Sequence, residues 1–211
     1  MLRDAYPFLL VLVFLAVIVA FVGYFFAAGF YVLSVLMFLL AAFVAFFFRN
    51  PERDVSSDPD LVLSPADGHV SIVKPIDAQQ PDGGMFVSIF LSVFDVHVNR
   101  TPIAGRITKI AYQKGKFLNA LNHRSSLENE QNIVTVENDR LTVTFKQIAG
   151  VIARRIVFWQ KIGDTLAPGE RVGLIKFGSR TDLFLPPQVE VLVKKGDRVI
   201  GGETIIGKIR Q

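Results

Sequence analysis

The feature that most limits the fold is a long run without charged side chains near the N-terminus. It extends from Ala5 to Phe48, a run of 44 residues. About 20 apolar residues suffice for one helix to cross the hydrocarbon core of a bilayer, so this run is long enough for two. Glycine and alanine residues near its middle mark a turn between helices expected at about 7–22 and 30–48. The run predicts a transmembrane helical hairpin within residues 1–49.

Two alternatives to this hairpin remain open, a single span and a cleaved signal peptide. A second apolar run follows the first at once, which argues against cleavage because it would stop transfer. The flanking residues Arg3, Arg49 and Arg53 favour the cytoplasmic side for both ends of the hairpin. A polar, proline-containing linker at 50–60 then leads to the rest of the chain. We therefore expect a protein of the cell membrane, with its main domain on the cytoplasmic face.

The composition excludes several classes of site. The chain has no cysteine, which rules out disulfides, thiolate zinc sites and cysteine nucleophiles. Its formal net charge of +4 is small, and no basic stripe or stacking aromatic motif accompanies it. This charge is compatible with an anionic membrane surface and does not indicate a nucleic-acid-binding protein.

Residues 61–211 carry many short apolar runs at strand spacing, broken by Gly, Pro and Asp. This pattern predicts a mainly β domain. The segment 114–132 is the exception, because it is polar and has only a few apolar residues. We interpret it as a loop or short helix in which Phe117, Leu118 and Leu121 face the acyl chains of a membrane.

Two short patterns occur twice. The first is P-x-x-G-x-[VI], at Pro65–Val70 and again at Pro102–Ile107. The second is a Gly-Asp pair followed six positions later by Gly-Glu, beginning at Gly163 and again at Gly196. The second pattern resembles the turn of lipoyl and biotinyl domains. It suggests a compact flattened β-barrel or sandwich of lipoyl/biotinyl-like type built from two similar halves.

Three residues could together activate a nucleophile. Ser179 follows Gly178 where an apolar strand pattern is interrupted, and a glycine without a Cβ leaves the approach to its carbonyl open. A serine needs a base to become a nucleophile, and an imidazole needs a carboxylate to fix its tautomer and stabilise its cation. His97 and Asp67 could fill these roles. Sequence spacing does not show whether the three meet. Individually, each also fits an ordinary turn or strand position.

Three other functions stay open on these residues alone. Asp67, His69 and His97 would form a two-histidine, one-carboxylate metal site. A membrane-tethered, lipoyl-like adaptor without catalysis is the second alternative. The third is a Ser-His-Asp hydrolase, which is weakened because Ser179 lacks the G-x-S-x-G elbow.

The motifs in order resemble a known family. An N-terminal membrane anchor precedes S-P-A-D-G at 64–68, F-D-V-H-V-N-R at 94–100 and F-G-S-R-x-D at 177–182. This combination is similar to the short form of the phosphatidylserine decarboxylase family, which may include archaetidylserine decarboxylases. The resemblance covers the chain from about Ser64 to its end, and the ordered set is specific although each motif alone is weak.

The resemblance implies a self-cleaving proenzyme. Ser179 would become a covalent pyruvoyl cofactor after cleavage of the Gly178–Ser179 bond, assisted by Asp67 and His97. The products would be a β chain, 1–178, and an α chain, 179–211, that stay associated, and a homodimer is compatible with this scheme. The pyruvoyl group would form a Schiff base with phosphatidylserine and release CO2 and phosphatidylethanolamine, with no metal required.

The second motif departs from some relatives. Those members have two histidines there, one for processing and one for decarboxylation, whereas this chain has His97 alone, with Asp95 and Arg100 nearby. The resemblance therefore implies either two roles for His97 or another proton donor in decarboxylation.

Overall fold

The computed structural model describes residues 1–77, 83–119, 124–150, 155–176 and 179–210. These residues separate into two compact units, Met1–Glu52 and Arg53–Gln211. Three residues that the sequence analysis singled out lie outside the described residues, namely Leu121, Phe177 and Gly178. The predicted cleavage site joins one of these, Gly178, to the described Ser179.

The first unit is a pair of apolar helices. A short 3₁₀ turn, Arg3–Ala5, leads into α1, Tyr6–Phe25, which has proline in its first turn, and α2 extends over Gly29–Phe47. The Ser34 hydroxyl on α2 donates a 2.8 Å hydrogen bond to the Ala16 carbonyl oxygen on α1. The two helices are long and apolar enough to cross a membrane. Most of their large apolar side chains are not covered by protein. Helices that are hydrophobic all round are buried in a core or in a membrane, so this exposure fits two membrane spans.

The described residues of the second unit form antiparallel β structure and one short helix, α3, Ser125–Glu128. The strands are β1 Leu61–Leu63, β2 Gly68–Pro75, β3 Met85–Leu91, β4 Val98–Arg100, β5 Gly105–Gln113, β6 Gln131–Glu137, β7 Thr142–Ala149, β8 Ile156–Phe158, β9 Thr165–Leu166, β10 Arg171–Ile175, β11 Ser179–Leu185, β12 Val189–Val191, β13 Arg198–Val199 and β14 Ile205–Ile209.

The strands of the described residues form three sheets. The largest has the order β13-β2-β3-β11-β7-β6-β5-β9, and two three-stranded sheets have the orders β1-β14-β12 and β4-β10-β8. The mainly β prediction with an N-terminal helical pair is confirmed in this coarse form. In the part of the chain that the structure describes, no sheet closes on itself, which differs from the predicted barrel. Both ends of the largest sheet are strands of only two residues, β13 and β9.

Side-chain alternation places the core on one face of the large sheet. On β11, Leu183 and Leu185 are fully buried there, and Phe145 on β7 lies opposite Leu183. Residues of β3 complete this layer at the same register positions. The intervening residues of β11, Arg180, Asp182 and Phe184, occupy the opposite face. This second face is also covered, since Arg180 and Asp182 are buried.

The internal repeat predicted from the sequence is confirmed. Gly68 begins β2, which pairs with β13, and Gly105 begins β5, which pairs with β9. The two glycines have nearly equal φ angles, 152° and 154°. An added Cβ would lie 2.2 Å from the Phe90 oxygen at Gly68 and 2.4 Å from the Glu137 oxygen at Gly105, so both positions require glycine. The repeated patterns therefore mark two equivalent strand pairs.

Candidate active site

Ser179 lies at the start of the central strand of the large sheet. It pairs with Leu91 on β3 and with Ala149 on β7. The residue is fully buried, and its hydroxyl oxygen has no hydrogen-bond partner among the described residues. Buried polar groups are normally satisfied, so an unsatisfied serine hydroxyl needs a reason. A hydroxyl positioned for reaction rather than for stability provides one.

The main chain holds the neutral ring of His97 in one tautomer. Its Nδ1 lies 2.9 Å from the carbonyl oxygen of Asp95, and the residue is 2% exposed. A carbonyl oxygen only accepts, so Nδ1 carries the hydrogen in this contact. The neutral ring therefore has its lone pair on Nε2, which is the form that a general base requires.

Two contacts place the segment around His97 beside the end of β10 and the start of β11. The main-chain oxygen of His97 accepts a 3.3 Å hydrogen bond from the Ile175 N–H, four residues before Ser179. Two residues after His97, the Asn99 amide nitrogen lies 3.5 Å from the Thr181 hydroxyl, two residues after Ser179. The fold therefore brings the second and third sequence motifs together.

Gln147 strengthens this junction. Its amide nitrogen donates to the Asn99 side-chain oxygen at 2.9 Å, and its amide oxygen accepts from Asn132 at 3.1 Å. Gln147 also lies directly opposite Thr181 in the sheet. All these side chains are buried. The network fixes the strand that follows His97 against the strand that Ser179 begins.

Asp67 has different partners from those expected. Its carboxylate accepts two hydrogen bonds from the Arg53 Nη2, at 3.0 and 2.9 Å, and one from the Gly201 N–H at 2.9 Å. Burial raises the pKa of Asp67, while the Gly201 hydrogen bond and the Arg53 charge oppose that rise. The role of Asp67 in self-processing stays a prediction, because these contacts do not link it to His97.

Asp95 contributes through both its main chain and its side chain. The buried carboxylate contacts Arg198 at 2.6 Å and accepts a 2.8 Å hydrogen bond from the Ser92 N–H. Burial is the main cause of the raised pKa of Asp67, and the Asp95 charge adds to it. The Asp95 side chain thus anchors the turn whose carbonyl oxygen orients His97.

The alternative metal site is not assembled in the described part of the chain. His69 is exposed on β2, whereas His97 is buried, and no three His, Cys, Asp or Glu side chains among the described residues gather as metal ligands. His97 and Asp67 instead take part in the hydrogen bonds described above.

Sequence reasoning missed Arg53, Gln147 and Asn132 as parts of the site. Arg53 was considered only as a charge flanking the apolar run, and no local signal pairs it with Asp67. Asn99 lies within the F-D-V-H-V-N-R motif, so the sequence indicates that its position matters but does not predict its contacts. Only the folded strands reveal that Gln147 meets it.

Comparison with known proteins shows the family of this chain. The family model for phosphatidylserine decarboxylase matches residues 40–207. The chain belongs to the phosphatidylserine decarboxylase family. Its relatives include the phosphatidylserine decarboxylase proenzyme of Carboxydothermus hydrogenoformans, 45% identical over 100% of this chain and 97% of the relative. The corresponding proenzyme of Symbiobacterium thermophilum is 45% identical over 99% and 95%. That of Solibacter usitatus is 54% identical over 82% and 81%.

Membership in the phosphatidylserine decarboxylase family confirms the resemblance carried by the three motifs. The matched span includes all three motifs and the buried Ser179. The relatives are named proenzymes, which agrees with a chain that is processed after synthesis.

Proposed function

We propose that this chain is a self-processing phospholipid decarboxylase that converts phosphatidylserine to phosphatidylethanolamine and CO2. The observation that carries the proposal is the buried hydroxyl of Ser179, which lacks a hydrogen-bond partner among the described residues at the start of the central strand. Family membership supplies the reaction type, and the position of His97 supplies a base in the same region.

Self-processing would begin with His97. Its Nε2 takes the hydroxyl proton of Ser179, and the Oγ attacks the Gly178 carbonyl carbon. The C–N bond then breaks, the proton passes to the departing amide nitrogen, and an ester remains. Loss of the Ser179 α-proton expels the Gly178 carboxylate and leaves dehydroalanine. Water adds to its imine form and ammonia departs, which gives a pyruvoyl group at position 179.

The residues present fit that group. Ser179 is buried from solvent, and its hydroxyl oxygen has no hydrogen-bond partner among the described residues. We therefore interpret this hydroxyl as a reactive group and not as part of a structural hydrogen bond. A pyruvoyl group supplies an electrophilic carbonyl and an electron sink for the charge left by decarboxylation. His97, Asp67 and Ser179 are the residues we assign to processing, and His97 is the only histidine of its motif that could also donate a proton in decarboxylation.

The two product chains would stay together. The α chain, 179–211, contains β11, which lies between β3 and β7 of the β chain. It also contains β13 and β14, which pair with β2 and β1. Cleavage before β11 leaves all these pairings intact.

The N-terminal helices fit an enzyme whose substrate is a membrane lipid. We infer that they anchor the chain in the cell membrane and that the β domain, with its predicted lipoyl-like halves, faces the cytoplasm. The cationic residues flanking the apolar run support that orientation. A homodimer remains compatible with this arrangement, and the mass of the purified protein in detergent would test it.

Intact-mass analysis of the purified protein tests the proposal. We expect two pieces divided after Gly178, with the smaller one lacking a free amino terminus. The Ser179→Ala variant should remain a single full-length chain, while Ser57→Ala, in the exposed linker, should be processed normally. A wild-type protein that stays intact would overturn the decarboxylase and favour the adaptor without catalysis.

A further inference from the structure

A cavity of about 300 Å³ lies on the face of the large sheet opposite the core. Arg180 and Phe184 of β11, Lys146 of β7 and Phe86 of β3 contribute to its wall, and Ser126 of α3 covers one side. Arg180 directly follows Ser179, so the cavity begins one residue from the proposed reaction centre. By strand alternation the Ser179 side chain belongs to the other face of β11, so a molecule held in the cavity would reach position 179 around the start of the strand.

The cavity has more positive than negative charge. Arg180 is neutralised by Asp182, with Nε 2.6 Å from Oδ1, and Asp182 also accepts a 2.8 Å hydrogen bond from the Ser126 hydroxyl. Lys146 and Lys74 also line the cavity, and among the described residues neither forms a salt bridge. Asp182 lies directly opposite Lys146 in the sheet, so its single negative charge is shared by Arg180 and Lys146, and with Lys74 the cavity keeps a net positive charge.

The same cavity offers apolar walls beside these charges. Phe86 and Phe184 pack edge to face with ring centroids 5.3 Å apart. The Nζ of Lys146 lies 5.2 Å from the Phe184 ring centroid, and that of Lys74 lies 5.6 Å from the Phe86 centroid. An apolar wall carrying two cations suits an amphiphile with an anionic headgroup better than a free ion.

The partial burial of Lys146 also favours a bound anion. Burial lowers its pKa, which means that the ammonium form is partly deprived of solvent. A bound anion would restore the lost electrostatic stabilisation. Lys74 is exposed, so Lys146 is the cation for which an anion matters most.

We propose that this cavity binds the phosphodiester of the phosphatidylserine headgroup, with Lys146 as its principal cation and Phe86 and Phe184 beside the glycerol. The assignment rests on the proposed function, because it names the site that holds that function's substrate. Lys146 would act as a positioning residue that holds the phosphodiester and takes no part in self-cleavage.

Binding to the uncleaved Ser179→Ala protein, purified full-length in detergent, tests the cavity without requiring turnover. The probes are dihexanoyl phosphatidylserine, dihexanoyl phosphatidylcholine and inorganic phosphate, each titrated by calorimetry. In this background Lys146→Gln should weaken binding of the short-chain phosphatidylserine by about tenfold, since it removes one charge-assisted contact. Lys146→Arg should retain most of the affinity. Lys109→Gln, an exposed lysine on β5 of the same sheet, should leave it unchanged.

The outcomes separate the two proposals. If Lys146→Gln and its parent bind phosphatidylserine with equal affinity, the headgroup site is overturned. It is also overturned if inorganic phosphate binds as tightly as the lipid, because that result would indicate a site for free phosphate. Phosphatidylcholine binding as tightly as phosphatidylserine would keep the phosphodiester contact and exclude a serine-specific one. In a chain with Ser179 present, Lys146→Gln should still be cleaved, as judged by intact mass. Absence of cleavage in the wild type would instead count against the proposed function.

Discussion

The imidazole Nδ1 of His97 lies 2.9 Å from the main-chain oxygen of Asp95, two residues earlier in the chain. This contact fixes the tautomer of the neutral ring through a main-chain oxygen. It also explains how one motif can supply both a base and the group that orients it, because the Asp95 side chain holds the turn in place through Arg198. We therefore expect His97 to be the base in the proposed self-cleavage, and its removal to matter most.

Replacing His97 by Gln should slow self-cleavage by about 10²–10⁴-fold, the usual contribution of a positioned general base. Glutamine can still donate to the Asp95 oxygen, but it cannot accept the Ser179 proton near neutral pH. The fraction of cleaved chain, followed by intact mass after cell-free synthesis, measures the rate. His69→Gln, on the exposed side of β2, should behave as wild type. Rapid, complete cleavage of His97→Gln would exclude His97 as the base.

Replacing Arg53 by Gln should destabilise the β domain by about 3 kcal/mol at neutral pH, because it leaves the Asp67 carboxylate buried without its cation. Both side chains are about nine-tenths buried, so solvent does little to weaken the pair. For a chain of this size the melting temperature should fall by roughly 10 °C. Thermal melting in detergent measures this. Arg140→Gln, which breaks the exposed pair with Asp60, is the matched control and should shift melting by far less.

The Arg53 effect should depend on pH in a defined direction. Burial raises the pKa of Asp67 above its ordinary value, so the folded state favours the protonated carboxyl more than the unfolded state does. The stability due to this group is therefore present in acid and falls as the pH rises through the folded pKa. Without Arg53 that pKa rises further. The difference in melting temperature between Arg53→Gln and wild type should be larger at pH 7 than at pH 4, and a pH-independent difference would contradict the assignment.

The cleaved α chain should remain bound to the β chain under native conditions. Its strand β11 is hydrogen-bonded on both sides, to β3 and β7, and Leu183 and Leu185 are fully buried. Purification through a tag on Gln211 should recover both chains, and denaturant should separate them. The Ser179→Ala chain should give one band in both conditions. Recovery of the tagged fragment alone without denaturant would contradict the observed strand pairing.

The elements with strong local patterns were predictable from the sequence. The helices at Tyr6–Phe25 and Gly29–Phe47 follow from composition alone, since few other structures accept so many apolar residues. The repeated glycines could be recognised in the sequence, because close backbone contacts at Gly68 and Gly105 require glycine at both positions. Their equivalence in the structure follows from that local constraint.

The contacts made across the sheets were not predictable. Arg53 and Asp67 are separated by 14 positions, and Asn99 and Gln147 by 48, so no local spacing reports on either pair. The open form of the large sheet in the described residues could not be predicted either, because the alternation of apolar and polar residues is the same in a barrel and in a sheet with free edges. Strand order depends on long-range pairing, which a single sequence does not encode in any short pattern.

Replacing Gln147 by Leu should lower both the stability and the rate of self-cleavage. Leucine fills a similar volume, but it leaves the Asn99 oxygen and an Asn132 N–H without their observed partner in the buried interior, each costing about 1–3 kcal/mol. Asn99 would then no longer be fixed against Thr181, so the segment that carries His97 should move relative to Ser179. Thr144→Val is a suitable control, because it removes a half-buried hydrogen bond to Thr135 on the same pair of strands, away from Asn99. Melting temperature and cleavage rate should both fall in Gln147→Leu and change little in Thr144→Val. A destabilised variant that is cleaved at the wild-type rate would show that the network supports the fold without positioning His97.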